Sequence, residues 1–303
     1  MLNIIISRKG SDSENGGMAS PILPCGCLCP IPIPYKRGGI SYSKIWFGKQ
    51  TLQEICTQLN PKRNIADEVA HLDPDLRFES LEDRPNGWRP AFGQTGSAAG
   101  HLHRQGVEYE RDLFLFFGWF RETTVENGQL EFSRKDVHGR HIIYGWLEVE
   151  EILDVKNQQP SGDLLFLDQH AHVRFVGVGE KGRNVIYVGS RMGLRAGLFK
   201  KYADRLSLTS VEVPRCIRSK WKLPSIFEPL LLEGGLSYHR TLKGKLEKRP
   251  DGVVFRSASI GQEFVFDGAM YPGPKRHFID LIKSAGNEKT SCQHSFQSRI
   301  LSS

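Results

Sequence analysis

The stretch that decides the fold is Asp112-Leu113-Phe114-Leu115-Phe116-Phe117-Gly118-Trp119-Phe120, a nearly unbroken run of large apolar side chains. A run this short and this aromatic is typical of a buried β-strand. It also falls far below the roughly 20 apolar residues that a membrane-spanning helix needs. We therefore predict a buried central strand and no membrane partner.

The residues after this run continue to favour strands. We predict buried strands at residues 141–149, 173–178 and 184–189, and glycine inside two of the predicted strands indicates bulges or close backbone approach. The other predicted elements are helices at residues 50–60, 196–206 and 277–283, a short helix beginning near residue 97, a loop at 221–224 and short strands at 236–238 and 253–256. Together they predict an α+β fold with mixed or antiparallel sheets.

The composition is that of a globular protein with a basic surface. The 303 residues are 39% hydrophobic and 25% charged, and the formal net charge is +7. This charge fits a polyanionic partner, but it is spread along the chain, so an ordinary solvated surface explains it equally well. We expect one domain over residues 1–286, a disordered tail rich in serine and glutamine over 287–303, and a cytoplasmic protein.

The six cysteines do not describe a disulfide framework. Three of them form the cluster Cys25-Gly26-Cys27-Leu28-Cys29, whose spacing differs from that of the usual zinc sites. We therefore predict no metal site, and no familiar cofactor motif identifies a cofactor.

A polar loop follows the apolar run Ile4-Ile5-Ile6, and it reads Ser7-Arg8-Lys9-Gly10-Ser11-Asp12-Ser13. Backbone N–H groups beside two cations would suit an anion such as phosphate. Asp12 is a candidate base, or it neutralises the basic pair, and Ser13 would be a nucleophile only beside a base. An ordinary polar turn is the alternative for the whole loop.

Further polar groups stand out along the chain. In His71-Leu72-Asp73-Pro74-Asp75 an extended backbone would place one imidazole and two carboxylates on one face, which suits acid–base chemistry or a hard cation. An Asp-Pro turn is the structural alternative. The remaining candidates are Gln94, which could read a base edge or tie down a loop; His101, a proton shuttle; His170 and His172, spaced as two ligands on one strand face; and the polar pair Gln262 and Glu263.

Several ordered blocks resemble the nucleotide modification associated domain 3 family. They are Ser7-Arg8-Lys9-Gly10, Ser20-Pro21-Ile22-Leu23-Pro24, His71-Leu72-Asp73-Pro74-Asp75-Leu76, Phe92-Gly93-Gln94, residues 112–120, Ile143-Tyr144-Gly145-Trp146-Leu147, Trp221-Lys222-Leu223-Pro224 and Gly261-Gln262-Glu263-Phe264-Val265. The resemblance extends over residues 3 to 283. It implies a protein that accompanies DNA base-modifying enzymes in phages and bacteria, with a nucleotide or nucleic acid as partner. The cysteine triplet departs from the family pattern.

The central strands are also similar to PUA-like barrels that bind modified bases, which adds a PUA-like barrel element to the expected fold. In that interpretation Trp119 and Trp146 stack on a base, although simple core packing is the stronger explanation for each of them. Three functions result: a base- or nucleotide-modifying enzyme, a non-catalytic reader of modified bases, or a scaffold or defence-associated partner protein. For the enzyme we predict catalytic roles for Asp12, His71, Asp73 and His101. The predicted binding residues are Ser7, Arg8, Lys9, Gly10, Ser13, Asp75, Gln94, Trp119, Trp146, Gln262 and Glu263.

Overall fold

The structure is a computed structural model that describes residues 2–36, 38–108, 110–174, 182–210, 217–239, 242, 244–258 and 263–286. The helices are α1 (Leu52–Leu59), α2 (Gly96–Arg104), α3 (Ala171–Arg174), α4 (Glu228–Leu232) and α5 (Pro272–Gly286). The strands are β1 (Asn3–Arg8), β2 (Ser20–Ile22), β3 (Ile33–Pro34), β4 (Ile40–Ser41), β5 (Trp46–Phe47), β6 (Gln50–Thr51), β7 (Val69–His71), β8 (Ala91–Thr95), β9 (Leu113–Glu126), β10 (Gln129–Phe132), β11 (Arg140–Asp154), β12 (Arg183–Gly189), β13 (Ala196–Leu198), β14 (Lys220–Leu223), β15 (Glu247–Arg249), β16 (Gly252–Arg256) and β17 (Glu263–Asp267).

A nine-stranded mixed sheet organises the chain. Six of its strands lie in the order β17-β1-β9-β11-β12-β8, β2 and β10 also pair with β9, and β13 also pairs with β11. β1 and β2 pair with β9 in parallel, and the other pairings in this sheet are antiparallel. Smaller sheets are β14-β16-β15, β3-β7-β4 and β5-β6. The predicted α+β class with mixed sheets is confirmed, and the PUA-like barrel element stays a prediction.

β9 carries the apolar run that decides the fold, and it is buried from Leu113 to Phe117. Its aromatic side chains pack with those of β8, β16 and β17 in the largest hydrophobic cluster. Burying a large apolar side chain contributes about 1.5–3 kcal/mol, so each of these buried side chains contributes to the stability of the core. No helix in the described part of the chain is long and apolar enough to cross a membrane.

The two expectations for glycine in strands are confirmed. A Cβ at Gly118 would lie 2.8 Å from the carbonyl oxygen of Lys9, which marks a close backbone approach. The register between β9 and β11 shifts between Ile143 and Gly145, as at a bulge.

Helix α1 begins with a capping box that its sequence encodes. The Thr51 hydroxyl accepts from the Glu54 N–H, and the Glu54 carboxylate accepts from the Thr51 N–H, so two donors at the helix start are satisfied. The predicted helices at residues 50–60 and 277–283 and the short helix near residue 97 are confirmed as α1, α5 and α2.

Other local predictions are wrong. Residues 196–206 form β13 and a 3₁₀ turn at Asp204–Leu206 instead of a helix, because β13 pairs with β11. Residues 221–224 belong largely to β14 rather than a loop, and residues 236–238 form turns instead of a strand. The strand predicted at residues 173–178 begins in α3 and lies otherwise outside the described residues, as does the tail predicted to be disordered.

Candidate functional site

The segment from His71 to Asp75 lies along the outer edge of β8. His71 ends β7, and Asp75 exchanges both backbone hydrogen bonds with Ala91 at 2.9 and 3.0 Å. Two residues further along β8, the Gly93 N–H donates to Asp73 Oδ1 at 2.7 Å. The main chain therefore fixes the position of the Asp73 carboxylate at the edge of the large sheet.

Four side chains meet at this edge and are here called the histidine cluster: His71, Asp73, His170 and His172. The two Nε2 atoms of His71 and His172 lie 3.3 Å apart. Asp73 Oδ2 lies 4.0 Å from His71 Nε2 and 3.6 Å from His172 Nε2, and Asp73 Oδ1 lies 3.6 Å from His170 Nε2. His71 is partly exposed and the other three are buried, so the cluster lies just beneath the protein surface.

His170 and His172 reach the cluster by a route that differs from the predicted one. The sequence spacing suggested two ligands on one strand face, but His170 ends the 3₁₀ segment Gly162–Gln169 and His172 lies in α3. The turn between them still directs both rings toward Asp73.

Burial and mutual charge set the protonation of the cluster. Burial lowers the pKa of His71 to about 4 and that of His170 to about 4. Burial alone would raise the pKa of Asp73, but the surrounding imidazoles of His172, His170 and His71 together outweigh it and lower this pKa to about 2. Near pH 7 the cluster therefore combines a carboxylate with neutral His71 and His170 rings.

A second polar group, here called the lysine–glutamate cluster, is formed by Lys9, Gln94 and Glu263. Lys9 Nζ lies 3.1 Å from Glu263 Oε1 and 4.7 Å from the centroid of the Phe92 ring. The Gln94 side-chain amide also donates to Glu263 Oε1. Glu263 is fully buried, and its Oε2 accepts from no group in the described part of the chain. Lys9 thus neutralises a buried carboxylate.

β8 connects the two clusters, since Gly93 contacts the first and Gln94 belongs to the second. Successive side chains of a strand point to opposite faces of a sheet. Phe92 and Gln94 therefore face the large core, whereas the opposite face of Gly93 is covered by the His172 ring. The predicted segments of the N-terminus, the His71–Asp75 region and the Gly93–Gln94 pair come together at this edge strand.

The N-terminal loop is held mainly by its own groups. Asp12 Oδ2 accepts from Arg8 Nη2 at 2.8 Å, and Asp12 Oδ1 accepts from the N–H groups of Glu14 and Asn15 at 2.8 and 2.7 Å. These contacts correspond to the structural alternative for Asp12, an Asx-type turn. Ser13 is exposed at the tip of this turn.

The remaining predicted residues lie in several places. Gly10 borders a small cavity of about 50 Å³ together with Asp73, and Ser7 is buried with an Oγ that has no hydrogen-bond partner among the described residues. His101 Nε2 lies 3.3 Å from Ser237 Oγ, and burial lowers the pKa of His101. Gln262 lies outside the described residues.

Trp119 and Trp146 hold structural contacts away from the histidine cluster. The Trp119 indole N–H donates to the His138 carbonyl at 3.0 Å, and that of Trp146 donates to the Leu194 carbonyl at 2.9 Å. Trp146 also packs against Phe199, with ring centroids 4.9 Å apart. These contacts correspond to the packing alternative for both tryptophans.

Sequence reasoning missed a cavity beside the histidine cluster, here called the tryptophan cavity. It has a volume of about 580 Å³, and its wall includes Trp46, Trp88, Arg84, Asp75, His170 and Arg174. The Arg84 guanidinium donates to both oxygens of Asp75, and Trp88 Nε1 donates to Asp75 Oδ2 at 3.2 Å. Asp75 therefore orients an arginine and an indole on the cavity wall. The signal in the sequence for this wall was the segment 84–90, which contains one tryptophan, two prolines and two arginines.

The cysteine triplet has no part in the histidine cluster. Cys27 takes part in a disulfide, whereas Cys25 and Cys29 are free thiols. Burial raises the pKa of the Cys29 thiol far above its ordinary value, so this thiol stays protonated.

Comparison with known proteins identifies a family. The sequence model of the nucleotide modification associated domain 3 family matches residues 3–267. No curated protein and no solved structure matches the chain. The matched range includes both polar clusters and the tryptophan cavity, and it confirms the resemblance drawn from the motifs. The chain belongs to the nucleotide modification associated domain 3 family.

Proposed function

We propose that this protein is an enzyme that binds a nucleotide or a nucleic acid base in the tryptophan cavity and acts on it at the histidine cluster. The observation that carries the proposal is that His170 belongs both to the wall of the tryptophan cavity and to the histidine cluster. His170 lines the cavity, and its Nε2 lies 3.6 Å from the Asp73 carboxylate. A ligand in the cavity would thus lie beside a buried group of titratable side chains, an arrangement typical of active sites.

The cavity wall suits a flat heteroaromatic ligand. Trp46 and Trp88 are partly exposed, and an indole face stacks on any base. Lys44 brings a positive charge to the same wall, which could meet a phosphate, and Glu82 and Asp83 bring negative charges to it. This part of the proposal replaces the stacking roles that the sequence suggested for Trp119 and Trp146.

Asp73 is the residue to which we assign the central acid–base or ligand role. It is the only carboxylate of the histidine cluster, and its pKa of about 2 keeps it charged at neutral pH. Asp12 was the other candidate, but its oxygens are occupied by Arg8 and by two backbone N–H groups of its own loop. We propose a supporting role for Lys9, Gln94 and Glu263, which hold β8 in place beside the site.

Nucleoside mass spectrometry tests the proposal directly. DNA, RNA and the free nucleotide pool are compared between cells that contain the protein, cells that lack it and cells that carry the Asp73→Asn variant. We expect one base or nucleotide to change with the wild-type protein and to revert in the variant. Unchanged nucleosides in all three pools would refute the enzyme.

Binding measurements separate the enzyme from a non-catalytic reader. Trp88→Ala should weaken binding of the responsive nucleotide by about ten- to a hundredfold, because base stacking contributes about 1–3 kcal/mol. Asp73→Asn should keep binding and lose conversion. Binding of a modified base without any conversion would favour the reader, and loss of conversion in Asp12→Asn alone would move the acid–base role to the N-terminal loop.

A further inference from the structure

We propose that His71, Asp73 and His172 bind one divalent transition-metal ion through the two Nε2 atoms and one oxygen of Asp73. The inference deepens the proposed function, on which its role in catalysis rests, because it names the group that would meet a ligand at the same site. It departs from the sequence prediction of no metal site. The three side chains come from two segments about a hundred residues apart, so sequence spacing alone does not show the set.

The distances are those of a ligand set. One ligand atom from each of these residues can be chosen so that all lie within 4.8 Å of one another. Two nitrogens bound to one ion at about 2.0–2.1 Å with a tetrahedral angle lie about 3.3 Å apart. The observed separation of His71 Nε2 and His172 Nε2 is 3.3 Å. The carboxylate oxygen, at 3.6 and 4.0 Å from these nitrogens, needs to move by only a few tenths of an ångström.

Asn184 fixes the orientation and the tautomer of the His172 ring in a form suited to metal binding. The Asn184 amide nitrogen donates to the His172 carbonyl at 2.9 Å, which directs its Oδ1 toward the ring. That oxygen lies 2.7 Å from His172 Nδ1, so Nδ1 carries the proton in this network. In the neutral ring the lone pair is then on Nε2, the atom that faces Asp73 and His71. Metal-binding histidines are commonly held in this way through the other ring nitrogen.

The orientation of the Asp73 carboxylate is fixed as well. Its Oδ1 accepts from the Gly93 N–H, which leaves Oδ2 directed toward the two imidazoles. A carboxylate oxygen thus faces the His172 lone pair at 3.6 Å, with His71 Nε2 nearby. Atoms that all carry lone pairs repel one another unless a proton or a cation lies among them. His170 Nε2, 3.6 Å from Asp73 Oδ1, and His71 Nδ1 are buried without a hydrogen-bond partner among the described residues, and neither is a ligand atom of the proposed set.

The donor set indicates the class of metal. Two imidazoles and one carboxylate, without a thiolate, suit Fe²⁺ or Zn²⁺ rather than Ca²⁺ or Mg²⁺. Three protein ligands leave coordination positions open, as in catalytic rather than structural sites.

Metal titration of the full chain tests the inference without any nucleotide. The protein is stripped with a chelator and titrated under nitrogen with Fe²⁺, Zn²⁺ and, as a spectroscopic probe, Co²⁺. We expect one tightly bound equivalent and a Co²⁺ absorption spectrum without a sulfur charge-transfer band. Asp73→Asn keeps the acceptor for Gly93 and should lose this equivalent, as should His172→Gln. Asn184→Ala should weaken binding by about ten- to a hundredfold.

His277→Ala is the matched control, since it removes a partly buried histidine of α5 and should bind the metal as the wild type does. Unchanged binding in Asp73→Asn and Asn184→Ala, or no bound equivalent in the wild type, would overturn the site. If His172→Gln does not fold, the Co²⁺ spectrum of the wild type and the metal affinity of Asn184→Ala still test the site. A chain that binds the metal but changes no nucleoside would support the site while refuting the proposed enzyme.

Discussion

The two polar clusters on either side of β8 differ in how their charges are matched. In the lysine–glutamate cluster one carboxylate oxygen meets a cation and an amide donor, so the charge of Glu263 is matched, although its Oε2 accepts from no group in the described part of the chain. In the histidine cluster two imidazole nitrogens and a carboxylate oxygen converge on one point. The first arrangement suits a structural role and the second suits a ligand. Buried polar groups thus reveal their role through their partners rather than through their residue types.

The largest expected effect comes from a substitution in the lysine–glutamate cluster. Lys9→Met leaves the Glu263 carboxylate buried without its cation, so we expect a loss of about 3–5 kcal/mol in the free energy of unfolding. The measurement is urea denaturation at pH 7. The double variant Lys9→Met/Glu263→Gln removes both charges and should recover more than half of the loss. A loss below about 1 kcal/mol in the single variant would show that this pair is not structural.

The next largest effect comes from a substitution that displaces a ring of the histidine cluster without changing any of its polar atoms. A Cβ at Gly93 would overlap the ring atoms of His172, so Gly93→Ala should displace that ring. We expect a loss of about 1–3 kcal/mol in unfolding free energy and weaker metal binding. Gly100→Ala is the control, because Gly100 lies inside α2 near only the flexible Arg104 side chain. It should stabilise the helix by up to about 1 kcal/mol. Equal metal binding in both variants would contradict the predicted role of Gly93.

The sequence predicts the parts of the fold that local chemistry determines. The apolar run of β9 and the capping box of α1 need no distant partner to be recognised. β14 was missed because its pairing with β16 joins residues about thirty positions apart. The helix predicted at 196–206 failed for the same reason, since pairing with β11 overrides its local helical spacing.

The candidate site shows the same division. His71, Asp73 and Asp75 stand close together in sequence, and their polar density marked them as a group. His172, Asn184 and Gly93 join them only through the pairing of β8 with β12 and through the turn at α3. No periodicity encodes that pairing. The sequence showed the pairs His71/Asp73 and His170/His172 as candidates, but it did not show that the two pairs lie together in the fold.

A smaller effect is a loss of stability at low pH that is caused by His141, a buried histidine outside both clusters. His141 Nδ1 accepts from the Trp221 indole at 3.1 Å, and burial, aided by the nearby Arg8 and Arg218, lowers the pKa of His141 to about 3. The unfolded chain, with a pKa near 6.5, binds the proton first as the pH falls. Stability is therefore complete above about pH 6.5 and declines toward pH 3, by about 2 kcal/mol at pH 5.

Urea denaturation at pH 7 and pH 5 measures this decline. His141→Gln should flatten the pH dependence between these values, while the contributions of His71 and His170, whose pKa values are also lowered, remain. An unchanged slope in His141→Gln would mean that His141 is protonated in the folded protein or already neutral in the unfolded one.

The smallest effect concerns the N-terminal loop, where charges are matched near the surface. Asp12→Asn keeps an oxygen for the N–H groups of Glu14 and Asn15 and loses only the charge opposite Arg8. Since the Arg8 side chain is 29% exposed, we expect a loss below about 1 kcal/mol in urea denaturation. Asp12→Ala, which also removes the acceptor, should cost about 1 kcal/mol more. A loss in Asp12→Asn as large as that in Lys9→Met would show that the loop charge is as important to folding as the buried pair.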